Sequence, residues 1–266
     1  MEILLDRLVV LKKKKVGEVT EVLVLGESAG KLWVSAPAVA QSRKRFPGGL
    51  ELFTLYEAEL SLESARRKGA RPGLNMARPL KSYPLTRDMA HFTLASRMTE
   101  IVEKLTPTQK APNQPQADEE MTRLFPLLLC CYASLETMNR EQVPALRLWF
   151  QWRLLIILGY ALNPFRCAPC DTVFDESSGA FWLKERMGIF CRKCLGEAAG
   201  QRSISLAALR LGQKLVQVPV PTGFGQVVTL PAVDPAAAEE LRLMLDHHIR
   251  ELLPRPLKTE EFDQRV

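Results

Sequence analysis

Two Cys-X-X-Cys pairs, Cys167-Ala-Pro-Cys170 and Cys191-Arg-Lys-Cys194, stand twenty residues apart in this 266-residue chain and constrain its folding more than any other feature. Each pair bends the backbone so that two sulfurs point at one centre, and two such knuckles supply the four thiolates of a tetrahedral metal site. A Zn²⁺ ion held by Cys167, Cys170, Cys191 and Cys194 has a full coordination shell, so it braces the fold and leaves no open position for water or substrate. Its binding energy becomes folding energy, about 10–16 kcal/mol in isolated peptides at neutral pH. The same spacing suits an iron centre of the rubredoxin kind or a pair of redox dithiols. Phe174, Phe181, Trp182 and Phe190 lie between the knuckles and are expected to form a miniature core. The other two cysteines, Cys130 and Cys131, sit in an apolar run and read as core residues.

The net charge of +6 is unevenly placed. Residues 1–85 hold fifteen Lys or Arg against nine Asp or Glu, whereas the rest of the chain holds twenty-one of each. The whole excess therefore lies in the first third, which suits a polyanion partner there or a basic surface serving solubility. The apolar start, Met1 to Leu11, precedes its basic run instead of following it, the wrong order for a secretory signal. Val143 to Leu162, the longest apolar stretch, contains Arg147, Gln151 and Arg153 and reads as a buried core helix, not a membrane span.

That basic third reads as strands: Ile3–Lys12, Glu18–Leu25, Lys31–Ala36, Leu50–Leu62 and Leu74–Lys81, with turns at Gly26–Gly30, Pro47-Gly48-Gly49 and Lys68-Gly69 through Pro72-Gly73. Five strands at this spacing predict an OB-type β-barrel, and the pattern also fits an SH3-like one. Helices follow: one capped by Thr86 with Ala90, Leu94, Met98, Ile101 and Leu105 on one face, then 119–139, 141–160, 203–215 and 235–253, with a loop over Pro107–Gln116. The fold class is thus α+β. An N-terminal barrel domain, 1–84, precedes a helical domain, 85–266, into which the cysteine module, 167–194, is inserted.

Cations interleaved with aromatics at strand ends are what a single-strand channel uses, the charges meeting phosphates while rings stack on bases. The candidates are Lys12, Lys13, Lys14 and Lys15, then Lys31 before Trp33, and Arg43, Lys44 and Arg45 before Phe46. Each has a plain alternative: a solvated strand end for the lysine run, burial in the barrel for Trp33. Arg166, Lys184, Arg186, Arg192 and Lys193, around the knuckles, either touch phosphate or neutralise the tetrathiolate. His91, His247 and His248 read as helix-face residues. The chain lacks GxxxxGK[ST], GxGxxG and GxSxG, the familiar signatures of ATP use, dinucleotide binding and serine hydrolysis.

Over nearly its full length the chain resembles the RecO family of bacterial recombination mediators. The resemblance is carried by VVLKKKKVGEVTEVLVLGESAGKLWVSA, SRKRFPGGLELFTLYEAEL, ALRLWFQWRLLIILGYALNPFRCAPC, MGIFCRKCLG and LDHHIRELLPRPLKT. It implies an OB fold, a helical domain with the zinc site inserted, and no enzymatic turnover. It also implies a cytoplasmic protein that binds single- and double-stranded DNA, anneals complementary strands, associates with RecR and meets single-strand-binding protein. The chain departs from the family at Ala36-Pro37-Ala38, where a basic Lys-Gly step is common, and at Met187-Gly188, where paired glycines are. Two other readings fit the residues: a redox or electron-transfer protein using the cysteine cluster, and a nucleic-acid enzyme, for which no compact acidic motif is evident.

Overall fold

The structure is a computed structural model that describes residues 2–39, 41–62, 70–109, 115–160, 162–196, 201–223 and 225–260. The expected Lys68-Gly69 turn and part of the Pro107–Gln116 loop lie outside the described residues. Packing divides the chain into two units, Met1–Glu136 with Leu257–Val266 and a short piece at Gly223–Gly225, and Thr137–Thr222 with Gln226–Pro256. Two helices thus pack with the strands, and the packing boundary falls beyond the compositional one at 84/85.

In the first unit, β1 (Ile3–Val16), β2 (Val19–Gly26), β3 (Gly30–Pro37), β4 (Thr54–Ser61) and β5 (Gly73–Ser82) form a five-stranded sheet. The sheet closes on itself in the order β1-β2-β3-β5-β4. All pairings are antiparallel except the short parallel contact of β3 with β5 at Ser35 and Gly73. The pleat sends alternate residues inward, so Val22 and Val24 of β2 meet Leu32, Val34 and Ala36 of β3 in a core completed by Leu8, Val10, Phe46, Tyr56 and Leu74.

β1 does not end at Lys12. A bulge between Val10 and Lys12 re-registers it, and Lys12–Lys15 continue paired with Leu23–Thr20 of β2. The next turn is held by Asp6, whose buried carboxylate accepts from the backbone N–H of Arg7 (2.9 Å), Ser28 (3.0 Å) and Ala29 (2.9 Å). Burial raises the Asp6 pKa, since desolvation outweighs the N–H groups that favour the charge. Gly26 is required beside it, because a Cβ there would lie 2.3 Å from Asp6 Oδ2.

Helix α1 (Met89–Leu105) is capped by Asp88 and not by Thr86: the Asp88 carboxylate accepts from Ala90 and His91 N–H. Leu94, Met98 and Ile101 are buried, as the 3.6-residue period requires. Helix α2 (Glu119–Thr137) runs through Pro126 and buries Cys130 and Cys131. The Tyr132 hydroxyl meets Thr99 Oγ1 of α1 at 2.6 Å, and its ring packs edge-on to Phe53 at 5.3 Å. The C-terminal segment returns to α1, where the Glu100 carboxylate accepts from Lys258 N, Thr259 N and Thr259 Oγ1 at 2.8–3.0 Å.

In the second unit α3 (Val143–Ile157) packs with α5 (Leu206–Gln217) and α6 (Pro235–Leu252), the last two capped by Ser205 and Asp234. Gly212 of α5 lets the helices approach closely, because a Cβ there would sit 2.6 Å from Trp152 Cη2. The polar residues of α3 are engaged. Arg147 and Gln151 bond to the Asp246 carboxylate at 2.8 and 2.6 Å, and Arg153 donates to the carbonyls of Val216 and Val218. No described helix is long and apolar enough to cross a membrane.

Candidate metal centre and nucleic-acid interface

The cysteine module is built on two short strands and one helical turn. β6 (Ala180–Trp182) pairs with β7 (Arg202–Ile204), a strand without a sequence signal of its own, and Phe181 exchanges both backbone hydrogen bonds with Phe190. That exchange brings the second knuckle, which opens the turn α4 (Arg192–Leu195), against the first. The Cys191 N–H donates to Cys167 Sγ at 3.2 Å, the knuckle hydrogen bond that aims a sulfur at a shared centre. Leu183, Phe190 and Leu195 form the small core, Phe181 packs against it half-buried, and Trp182 and Phe174 are also buried.

The four ligand sulfurs of Cys167, Cys170, Cys191 and Cys194 all lie within 4.8 Å of one another, with Cys170 and Cys191 Sγ 3.7 Å apart. A tetrahedron with metal–sulfur bonds of about 2.3 Å has edges of about 3.8 Å, so the donor set fits a tetrahedral thiophilic ion. Cys167 and Cys191 are buried and Cys170 is exposed. Hydrogen bonding to the Thr172 hydroxyl pulls the Cys170 thiol down to about 6, while its bond with Cys170 pushes Cys194 up to about 12. A cation at their centre would bind the four as thiolates.

The arginines of the module lie on aromatic rings: Arg186 over Phe190 (4.6 Å), Arg192 over Phe181 (5.6 Å) and Arg202 over Trp182 (5.6 Å). Arg166 pairs with Asp171 at 2.9 Å. Trp182 also packs against His247 and His248, whose ring centroids lie 5.3 and 5.8 Å away. Burial, with the His247 charge, holds His248 down at about 4, so it stays neutral near pH 7.

The cations expected on the barrel separate into two groups. Lys14, Lys15, Arg43 and Lys44 are exposed and carry no hydrogen bond or ion pair among the described residues. The others are engaged. Lys12 pairs with Glu103 at 2.6 Å, and Lys13 meets the Leu50 carbonyl and Glu51 at 2.7 and 3.1 Å. Arg45 is half-buried and donates to the carbonyls of Asn75 (2.6 Å) and Leu74 (3.2 Å), tying its loop to β5.

Lys31 departs furthest from expectation. It is 2% exposed, and its ammonium donates to the Glu103 carbonyl in the last turn of α1 (2.7 Å) and to that of Thr106, the residue that ends the helix. It therefore caps a helix and offers nothing to an outside anion, and burial brings its pKa from 10.5 down to about 8. Trp33 is partly exposed, outside the barrel core. Arg71 covers its ring at 4.8 Å and pairs with Glu21 at 2.7 Å. The closed sheet places Arg71 and the exposed Arg78 on the same barrel as the lysine hairpin.

Residues 86–261 match the family profile described as recombination protein O C terminal. The chain is 29% identical to the DNA repair protein RecO of Pelobacter propionicus over 181 residues, 68% of this chain and 67% of that one. It is 26% identical to the DNA repair protein RecO of Roseiflexus sp. over 256 residues, 94% and 82% of the two chains. A third, the DNA repair protein RecO of Geobacter metallireducens, is 28% identical over 245 residues, 89% and 86%. With the profile spanning the helices and cysteine module and the relatives extending through the barrel, the chain belongs to the RecO family.

Proposed function

We propose that this chain is a DNA-repair recombination mediator whose barrel, an OB-type fold, binds single- and double-stranded DNA. In this reading it anneals complementary strands and, with RecR, helps load recombinase onto DNA coated by single-strand-binding protein in the bacterial cytoplasm. The observation that carries the reading is the quartet Lys14, Lys15, Arg43 and Lys44, exposed charges without a partner among the described residues, on a protein whose relatives are DNA repair proteins. Cations of this kind bind phosphate by releasing its counterions, a gain that is large at low salt and independent of sequence. Annealing then needs no active site and no turnover. Screening two strands and holding them at high local concentration is enough, and base pairing supplies the driving force.

The four cysteines hold one Zn²⁺ in this reading, where it fixes the path of the chain between α3 and α5. A colourless protein with one zinc per chain supports that assignment, and a coloured protein with bound iron overturns it in favour of electron transfer.

The test is annealing of complementary oligonucleotides at several salt concentrations, with and without RecR. The expected result is acceleration that falls as salt rises and changes when RecR is present. Annealing at the spontaneous rate at low salt overturns the proposal.

A further inference from the structure

We infer that Cys170 and Cys191 are a peroxide-reactive pair, whose oxidation joins the two sulfurs as a disulfide and opens the four-cysteine site. The pair is read from the placement of the sulfurs alone, and the release of metal that follows rests on the zinc reading above.

The four cysteines differ in access. Cys167 and Cys191 are 2% and 3% exposed and Cys194 is half-buried, whereas Cys170 lies on the surface of the module. A small oxidant arriving from solvent therefore meets Cys170 first. The Thr172 hydroxyl lies 3.1 Å from its sulfur, where it can donate to the charged form, and the thiolate is the form that oxidants attack. Cys130 and Cys131, buried in α2, are shielded and serve as internal controls.

Cys191 Sγ stands 3.7 Å from Cys170 Sγ. A disulfide of about 2.05 Å thus needs an approach of roughly 1.7 Å, within the swing of two side chains. Cys167 Sγ already accepts the Cys191 N–H at 3.2 Å, which stabilises its charge and leaves it the poorer nucleophile. With a hydroperoxide as the oxidant, the Cys170 thiolate attacks one peroxide oxygen, the O–O bond breaks, and a sulfenic acid and one hydroxide result. The Cys191 thiolate then attacks the Cys170 sulfur, the S–S bond forms, the S–O bond breaks and a second hydroxide leaves. Two thiolates have lost two electrons and the peroxide has gained them. Cys167 and Cys194 remain as two ligands where a structural zinc site uses four, so the site lets go of its ion.

The test treats the full-length protein with hydrogen peroxide while a chromophoric chelator reports released zinc. Remaining thiols are then alkylated in denaturant and the tryptic peptides mapped by mass. Cleavage after lysine and arginine leaves Cys167 and Cys170 in 167–184, Cys191 in 187–192 and Cys194 in 194–202, and fragmentation of the first peptide tells Cys170 from Cys167. The expected result is a cross-link of Cys170 to Cys191, one zinc released per cross-link, and recovery of both thiols with dithiothreitol. Dimedone present during oxidation should label Cys170 and prevent the cross-link, and Cys130 and Cys131 should remain open to alkylation throughout.

A disulfide within either knuckle, a cross-link through Cys167 or Cys194, or four thiols that survive peroxide under conditions that oxidise a free thiol overturns the inference and leaves the zinc reading standing. The Cys170–Cys191 cross-link in a protein isolated without zinc keeps the pair and removes the zinc reading.

Discussion

Replacing Lys31 by Met separates a cation that serves the fold from one that serves a ligand. In the folded chain Lys31 loses its proton near pH 8, against 10.5 for an exposed lysine, because burial penalises the ammonium. Between those two values the unfolded chain holds a proton that the folded chain has shed, so this residue makes stability rise with pH. Each pH unit in the window contributes about 1.4 kcal/mol, which gives about 3 kcal/mol across it. Below pH 8 both states carry the proton and the contribution is flat.

The Met variant lacks the group and therefore the rise. Urea unfolding of both proteins from pH 7 to 10.5 should show the difference moving by about 3 kcal/mol in favour of wild type above pH 8, with other titrations cancelling. The same variant should bind single strands with an unaltered salt slope, since the ammonium caps α1 at Glu103 and Thr106. A flat stability difference would mean that Lys31 is solvated. A salt slope reduced by about 0.7 would place it on the DNA.

In the zinc reading, chelation or Cys191→Ser should unfold the cysteine module, read as new protease cleavage between residues 165 and 196, while the barrel's strand signal persists; a module as resistant as before would mean that no metal holds it. Glu100→Gln should cost about 1–3 kcal/mol at pH 7, because the carboxylate gathers Lys104, Lys258 and Thr259. Those bonds lower its pKa below 4.5, so the stabilisation is present above that pH and fades as acid protonates the group; a difference from wild type that is unchanged at pH 3 contradicts this. Gly212→Ala forces a methyl to within 2.6 Å of the Trp152 ring and should lower stability by about 1–3 kcal/mol in thermal unfolding, whereas a neutral effect would mean that α3 and α5 are not packed so closely.

The features legible in the sequence are those whose cause is local. The cysteine pairs fix their own knuckles, Asp234-Pro235 opens α6, and the turn glycines and β-branched runs mark the five strands within a few residues. The lysine run hid the length of β1, because four cations in a row show no apolar alternation and the pairing that extends the strand comes from Val19–Leu23. The fates of Lys31 and Arg45 were illegible for a related reason. Their partners are backbone carbonyls 72–75 and 29–30 residues away, which no sequence window contains. Asp88 displaces Thr86 as the cap of α1 because a 3-10 turn, Leu85–Arg87, intervenes before the helix begins.

The salt dependence of oligo-dT binding by a Lys14, Lys15, Arg43 and Lys44 quadruple alanine variant probes most directly whether the barrel's free cations hold nucleic acid. If each meets one phosphate, the slope of log K against log salt becomes shallower by about 2.8. A variant that folds and keeps the wild-type slope would place the DNA elsewhere on the protein and contradict the account.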